Sequence, residues 1–318
     1  MREILSTALK GAAMGIAEVI PGVSGGTIAF ITGIYERLLL AIRSIQPSLI
    51  KTFKEEGFKA VLNKIDFYFL VKLFFGMVVG FGLGLFLITH LLENHPILIW
   101  SFFFGLILAS IPLVAREVKQ WNWKLIALLI LGTVFVYWIT IAAPSQGNES
   151  LWFVFISGLL AVSALMLPGL SGSFVLLLLG MYTVIMPAIK SFIESPFGPE
   201  TTMLIVFGLG LIVGIFSFAR VLSWTFERYR NQTLALLTGF LLGSLNKVWP
   251  WQQVLSTRVG SSGEEKVMFS KSISPKSLEA LDSNFLYGTD AQLIPAMAIM
   301  LGGIGIVYLL AKMGSKQK

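Results

Sequence analysis

Cysteine is absent from the 318-residue chain, which excludes disulfides, thiolate metal sites and cysteine nucleophiles. Charge is scarce as well: 13% of the residues are charged, where a soluble domain carries about 25%. With 55% hydrophobic residues and a mean hydropathy of +0.81, the chain must take lipid as much of its solvent. No polar stretch is long enough to fold as a separate water-soluble unit, so residues 1–318 read as a single membrane domain. Histidine occurs twice, at His90 and His95 around Glu93, but Pro96 beside them favours a turn over a ligand set. Neither a metal nor a cofactor is expected. The formal charge of +7 fits basic loops facing the cytoplasm and its anionic headgroups, and nucleic acid is not expected as a partner.

What the chain does have is long apolar runs. Six are suited to cross a bilayer as helices: roughly 70–92, 97–115, 124–143, 202–225, 232–249 and 291–311. Two more, 5–43 and 151–190, are too long for one span. They are cut by Pro21-Gly22-Val23-Ser24-Gly25-Gly26 and by Pro168-Gly169-Leu170-Ser171-Gly172-Ser173. Proline removes a backbone donor and clashes with the preceding turn, and glycine offers no steric support for a helix, so each run is expected to be two half-helices around a turn. Backbone groups freed at membrane depth survive only when packed in protein or lining a wet cavity. Both breaks therefore belong inside the bundle. The first apolar stretch passes straight into Pro21-Gly22 without a small-residue cleavage site and reads as mature structure.

If both broken runs are re-entrant hairpins and the N-terminus is cytoplasmic, the cytoplasmic segments hold 16 Lys and Arg, including six from Arg43 to Lys72. The opposite side then holds Lys190 and four in the 250–290 loop, which satisfies the positive-inside rule. Both termini are expected in the cytoplasm.

An internal repeat is visible. A shift of 147 lays Gly11, Ala17, Pro21, Gly22, Ser24, Gly25, Gly33 and Tyr35 on Gly158, Ala164, Pro168, Gly169, Ser171, Gly172, Gly180 and Tyr182. A shift of 134 lays Gly76, Gly80, Glu93, Gly105 and Ser110 on Gly210, Gly214, Glu227, Gly239 and Ser244. The expected fold is thus an all-α polytopic membrane protein with halves at 1–143 and 151–311. Each is a re-entrant helical hairpin plus three transmembrane helices. Three is odd, so the second half inserts inverted, and such repeats bind their cargo near the midplane where broken elements meet. Gly76, Gly80, Gly210 and Gly214 read as close-packing positions between helices.

At each break, free amides precede a helix N-terminus, with hydroxyls from Ser24, Thr27, Ser171 and Ser173, an arrangement that attracts a phosphate or carboxylate. The expected substrate-binding residues are Pro21, Gly22, Ser24, Gly25, Gly26 and Thr27, with Pro168, Gly169, Ser171, Gly172 and Ser173. Arg220 either joins them or snorkels to the cytoplasmic interface. Glu18, a carboxylate one turn before the first break in an apolar arm, is assigned to coupling with protons or sodium ions. Its repeat partner is Leu165, so that role belongs to one half. Glu36 and Arg37 read as a solvated interface rather than a gate-like pair.

The run Ala17 to Thr27, continuing through Gly33-Ile34-Tyr35-Glu36-Arg37, together with Leu167 to Ser173 and Gly180-Met181-Tyr182, resembles the PopT-type family of undecaprenyl-phosphate translocases. The resemblance covers essentially the whole chain. It implies a transporter in the bacterial cytoplasmic membrane that returns a C55 polyprenyl phosphate from the outer to the inner leaflet for envelope polymers such as peptidoglycan. Two other classes remain open. Undecaprenyl-diphosphate phosphatases share a PG-x-S-type loop but add an arginine between serines and paired glutamates; here Gly25-Gly26 follows Ser24 and Glu18 stands alone, so an enzyme is not expected. An anion channel with glycine-serine loops is the other.

Overall fold

The computed structural model describes residues 2–20, 23–145, 147–195, 198, 200–259 and 265–315, so that Pro21 and Gly22 of the first break lie outside the described residues. The chain opens with α1 (Arg2–Glu18), 17 residues and about 25 Å long, short of the ~20 residues that span a bilayer. After the break, α2 (Gly25–Ile31) folds back over this arm: a Cβ on Gly25 would stand 3.4 Å from the Cβ of Met14. A second turn, at 116°, leads into α3 (Tyr35–Arg43). The other half repeats the pattern with α9 (Leu151–Met166), α10 (Gly172–Leu178) folded back on Ala161, and a 112° turn into α11 (Tyr182–Glu194).

Each broken run therefore holds three helices where two half-helices are expected. The extra turn has a local cause. Gly33 (φ +72°) and Gly180 (φ +68°) adopt the left-handed conformation that closes a helix. Around them Ile34 N–H donates to the Ala29 carbonyl (3.0 Å) and Met181 N–H to the Leu176 carbonyl (2.9 Å), the same Schellman closure 147 residues apart.

Five helices among the described residues are long and apolar enough to cross a bilayer. They are α6 (Phe67–Asn94), α7 (Pro96–Arg116), α8 (Trp123–Ile141), α12 (Thr201–Arg228) and α15 (Leu293–Ser315). The sixth expected span, 232–249, is instead α13 (Arg230–Ser244), whose 15 residues reach only about 22 Å before Leu245 to Trp249 turn. The chain is a multi-pass membrane protein. Its outward faces carry Phe75 and Phe86 on α6, Leu131 and Trp138 on α8, and Ile294 and Leu301 on α15, all exposed, as lipid contact requires.

Outside this bundle the basic loop forms two short helices, α4 (Leu49–Glu56) and α5 (Phe58–Lys64). The 250–290 segment adds β structure to an otherwise helical class. Antiparallel β1 (Gln252–Val259) and β2 (Glu265–Ser272) pair with Gln252 opposite Ser272, followed by α14 (Pro275–Glu279).

Helix pairs follow the repeat. α1 packs on α6 as α9 packs on α12, while α8 packs on α13 as α15 packs on α7, so the last two pairings join the halves. Glycine sets the approach. A Cβ on Gly76 would stand 2.1 Å from the Ala8 oxygen, and one on Gly210 would stand 2.2 Å from the Phe155 oxygen. Ala8 and Phe155 are 147 apart, Gly76 and Gly210 134 apart, so both registers of the sequence recur in the packing. Close backbone approach of this kind replaces the hydrophobic drive that lipid does not supply.

Candidate functional site

The two breaks touch. Ser24 sits in extended backbone (φ −119°, ψ 135°) as the N-cap of α2, and Ser171 holds the same conformation (φ −112°, ψ 132°) before α10. Ser24 Oγ accepts from Gly26 N–H (3.0 Å) and donates across to the Leu165 carbonyl (2.9 Å). Thr27 Oγ1 accepts from Gly169 N–H (3.0 Å). Tyr35 Oη donates to the Met166 carbonyl (2.8 Å). The last carbonyls of a helix have no partner within it; two of those of α9, at Leu165 and Met166, are met by hydroxyls from the other half.

The glycines are required by proximity. A Cβ on Gly26 would stand 3.0 Å from the Met166 oxygen, and one on Gly25 2.7 Å from Glu18 Oε1. Gly169, at φ +86°, faces the Phe240 carbonyl at 2.9 Å from where its Cβ would be. Ser24, Thr27, Tyr35 and Ser171 are all buried. Ser171 and Ser173 hydrogen-bond each other at 2.9 Å, and among the described residues no side chain caps α10. The structure thus brings Ser24, Gly26 and Thr27 together with Leu165, Met166 and Gly169, and Gly25 lies beside Gly26 as Pro168 lies beside Gly169; Ser171, Gly172 and Ser173 follow in the same second break, where Gly172 packs on Ala161.

Glu18 belongs to this cluster. Its Oε1 accepts from Gly25 N–H at 2.6 Å, so the first two amides of α2 are held by the chain's own Glu18 and Ser24. Arg220 does not belong. It is exposed on α12, and its Nη2 reaches the Ile45 carbonyl at 3.5 Å, beyond the end of α3. The long arginine stem carries the guanidinium outward, the snorkelling alternative for that residue.

At that same end, ion pairs cross between the halves. Arg230 meets Glu36 at 2.8 Å and Glu117 at 3.6 Å, and Arg43 meets Glu227. Arg37 instead pairs with Asp66 (2.6 Å) and lies 4.3 Å over the Phe69 ring. Glu36 and Arg37 therefore have separate partners rather than each other. The partners lie up to 194 residues away, and no local pattern announces them. Tyr35 was marked only by its repeat partner Tyr182; its bond to Met166 depends on the folded arrangement.

Comparison with known proteins adds the following. A family model described as undecaprenyl phosphate translocase-like (VCA0040-like) matches residues 14–266. A polyprenyl-phosphate transporter of Vibrio cholerae serotype O1 is 45% identical over 312 residues, covering 98% of this chain and 97% of that protein. A polyprenyl-phosphate transporter of Staphylococcus aureus is 32% identical over 254 residues, covering 76% of this chain and 85% of that protein. No solved structure matches the chain.

Proposed function

The chain belongs to the undecaprenyl phosphate translocase-like family, and we propose that it is a polyprenyl-phosphate transporter whose two interlocked loops hold the headgroup. The observation that carries the site is the pair of bonds Ser24 to Leu165 and Gly169 to Thr27, which join two helix breaks inside an apolar bundle. A phosphate needs donors in a wet or donor-lined site, whereas an isoprenoid tail can remain in lipid if the site opens sideways. Pro21, Gly22, Ser24, Gly25, Gly26, Thr27, Pro168, Gly169, Ser171, Gly172 and Ser173 form the headgroup site in this reading, and Arg220 stands apart from it.

Transport runs from the outer to the inner leaflet of the cytoplasmic membrane by alternating access between two inverted halves, 1–143 and 151–311, with both termini in the cytoplasm. The ion pairs Glu36–Arg230 and Arg43–Glu227 would then close the cytoplasmic end in this state and part in the other. Exposed pairs contribute about 0.2–1 kcal/mol each, weak enough to exchange.

Glu18 couples the cycle to protons or sodium ions. Its carboxylate uses the Gly25 N–H that a phosphate would use. Two unit charges 4 Å apart repel by about 4 kcal/mol at an effective dielectric of 20, so an ionised Glu18 and a bound headgroup exclude one another. Neutralising Glu18 frees the donor.

The direct test is leaflet-resolved accessibility of undecaprenyl phosphate in proteoliposomes. Relocation with the protein and none in empty vesicles supports transport. Release of phosphate from undecaprenyl diphosphate would favour an enzyme, and ionic currents a channel. Topology can be checked separately because the chain has no cysteine. Single cysteines replacing Lys54 and Lys119 should react with an impermeant thiol reagent from the cytoplasmic side, and those replacing Asn148 and Lys276 from the other. Labelling of all four from one side would contradict the inverted arrangement.

A further inference from the structure

Lys247 takes no part in the hydrogen bonds of the loops, yet its ammonium lies beside them. Nζ is 4.7 Å from the ring centroid of Phe174, the residue after Ser173. Phe174 is buried and occupies the repeat position of Thr27, so the second loop offers a ring where the first has a hydroxyl. Lys247 itself is partly buried, and among the described residues no carboxylate forms an ion pair with it.

The backbone that carries Lys247 is fixed from several directions. Its N–H donates to the Ser244 carbonyl (2.9 Å), and its carbonyl accepts from Gln252 Nε2 (3.0 Å). Beside it, Asn246 Nδ2 donates to Thr140 Oγ1 (2.8 Å) and the Asn246 carbonyl accepts from Ser272 Oγ (2.9 Å). Trp249 packs edge-on against Phe104 and Trp251. The hairpin of β1 and β2 thus clamps the turn after α13 while the lysine stem reaches toward α10.

An ammonium withdrawn from water without a counter-charge is costly, and a single aromatic face returns only part of that cost. An anion beside the second loop closes that gap, and four rotatable methylenes let the ammonium move from ring to anion without moving the backbone. We propose that Lys247 is the cationic contact for the phosphate of the transported lipid at the second loop, and that it sets the preference for the phosphorylated over the neutral lipid. This rests on the transporter reading above.

The test is titration of undecaprenyl phosphate, and separately of undecaprenol, into the purified full-length protein in nanodiscs, with Lys247→Met, Lys247→Gln and Lys247→Arg compared. A charge-assisted hydrogen bond corresponds to about a 10- to 100-fold change in affinity. The Met and Gln variants should lose that much preference for the phosphate, Arg should keep most of it, undecaprenol affinity should not move and the thermal midpoint of the ligand-free protein should not fall. Either neutral variant, folded and retaining the preference, would overturn the assignment, as would equal weakening toward both lipids. If the unaltered protein itself lacks the preference, the transporter reading fails with it. Inorganic phosphate should bind far more weakly than the lipid; equal binding would make this a free-phosphate contact and overturn the lipid assignment.

Discussion

Replacing Ser24 by alanine should abolish relocation of undecaprenyl phosphate while leaving a folded protein. The hydroxyl does two things at once: it caps Gly26 N–H and bonds the Leu165 carbonyl of the other half. Loss of an N-cap costs about 1 kcal/mol, and an orphaned buried carbonyl about 1–3 kcal/mol. That is tolerable for folding but removes the bond between the two breaks, and with it the one O–H that would turn to the headgroup when that bond opens. Glu18→Ala should also abolish relocation, for a different reason, because it removes the group that alternates with the substrate at Gly25. Glu18→Gln separates the two roles. Its amide oxygen can still accept from Gly25 N–H, but it carries no charge, so it should bind the phosphate yet lose the dependence of transport on a proton or sodium gradient. In the unaltered protein, raising the pH ionises Glu18 and should weaken headgroup binding. The Gln variant, in which only the phosphate titrates, should show less of that dependence. Equal pH profiles for the two proteins would remove Glu18 from the coupling.

Gly80→Leu should prevent accumulation of folded protein, whereas Gly82→Leu, two residues away, should be close to neutral. A Cβ on Gly80 would stand 2.0 Å from the Ala12 oxygen, backbone that cannot swing aside, so α1 and α6 must separate. Around Gly82 nothing lies within 4 Å of the added atom. Overpacking alone costs about 1–3 kcal/mol where side chains can adjust, and here they cannot. The other half offers a like contrast at Gly210, the repeat partner of Gly76: a Cβ there would stand 2.2 Å from the Phe155 oxygen, so Gly210→Leu should fail, whereas Gly208→Leu should fold. Detergent-solubilised yield and size-exclusion profile decide both pairs. Comparable behaviour of Gly80→Leu and Gly82→Leu would mean that the α1–α6 contact is looser than described.

The breaks are readable in the sequence because the Pro-Gly pair acts locally: Pro168 removes a donor and Gly169 takes a left-handed φ, whereas a lone proline such as Pro112 leaves α7 unbroken. The close-packing glycines were readable as paired positions, since Gly76 and Gly210 recur at one offset. Gly33 and Gly180 also stand in the repeat, yet nothing local marks their left-handed turns, because a lone glycine in an apolar run does not distinguish a packing position from a helix stop. The apolar pattern runs past the end of α13 for a similar reason. Leu245, Val248 and Trp249 carry the apolar pattern across Asn246 and Lys247, and only hydrogen bonds such as Lys247 N–H to Ser244 mark the turn. The β-hairpin was hidden by a polar sequence whose pairing is irregular around Ser256. Least accessible were the partners distant in sequence, Tyr35 with Met166 and Glu36 with Arg230, since residue type alone does not say which of several arginines a glutamate meets.

The account stands on one physical claim, that the two breaks jointly grip a phosphorylated headgroup within the bundle. The measurement closest to it is photocrosslinking in proteoliposomes with a polyprenyl phosphate carrying its reactive group next to the phosphate, and mapping of the adducts by mass spectrometry. Adducts should fall on both Val23 to Thr27 and Leu165 to Ser173, and excess undecaprenyl phosphate should suppress them. Adducts confined to the lipid-facing sides of α6 and α15, or to the Arg220 end of α12, would contradict it.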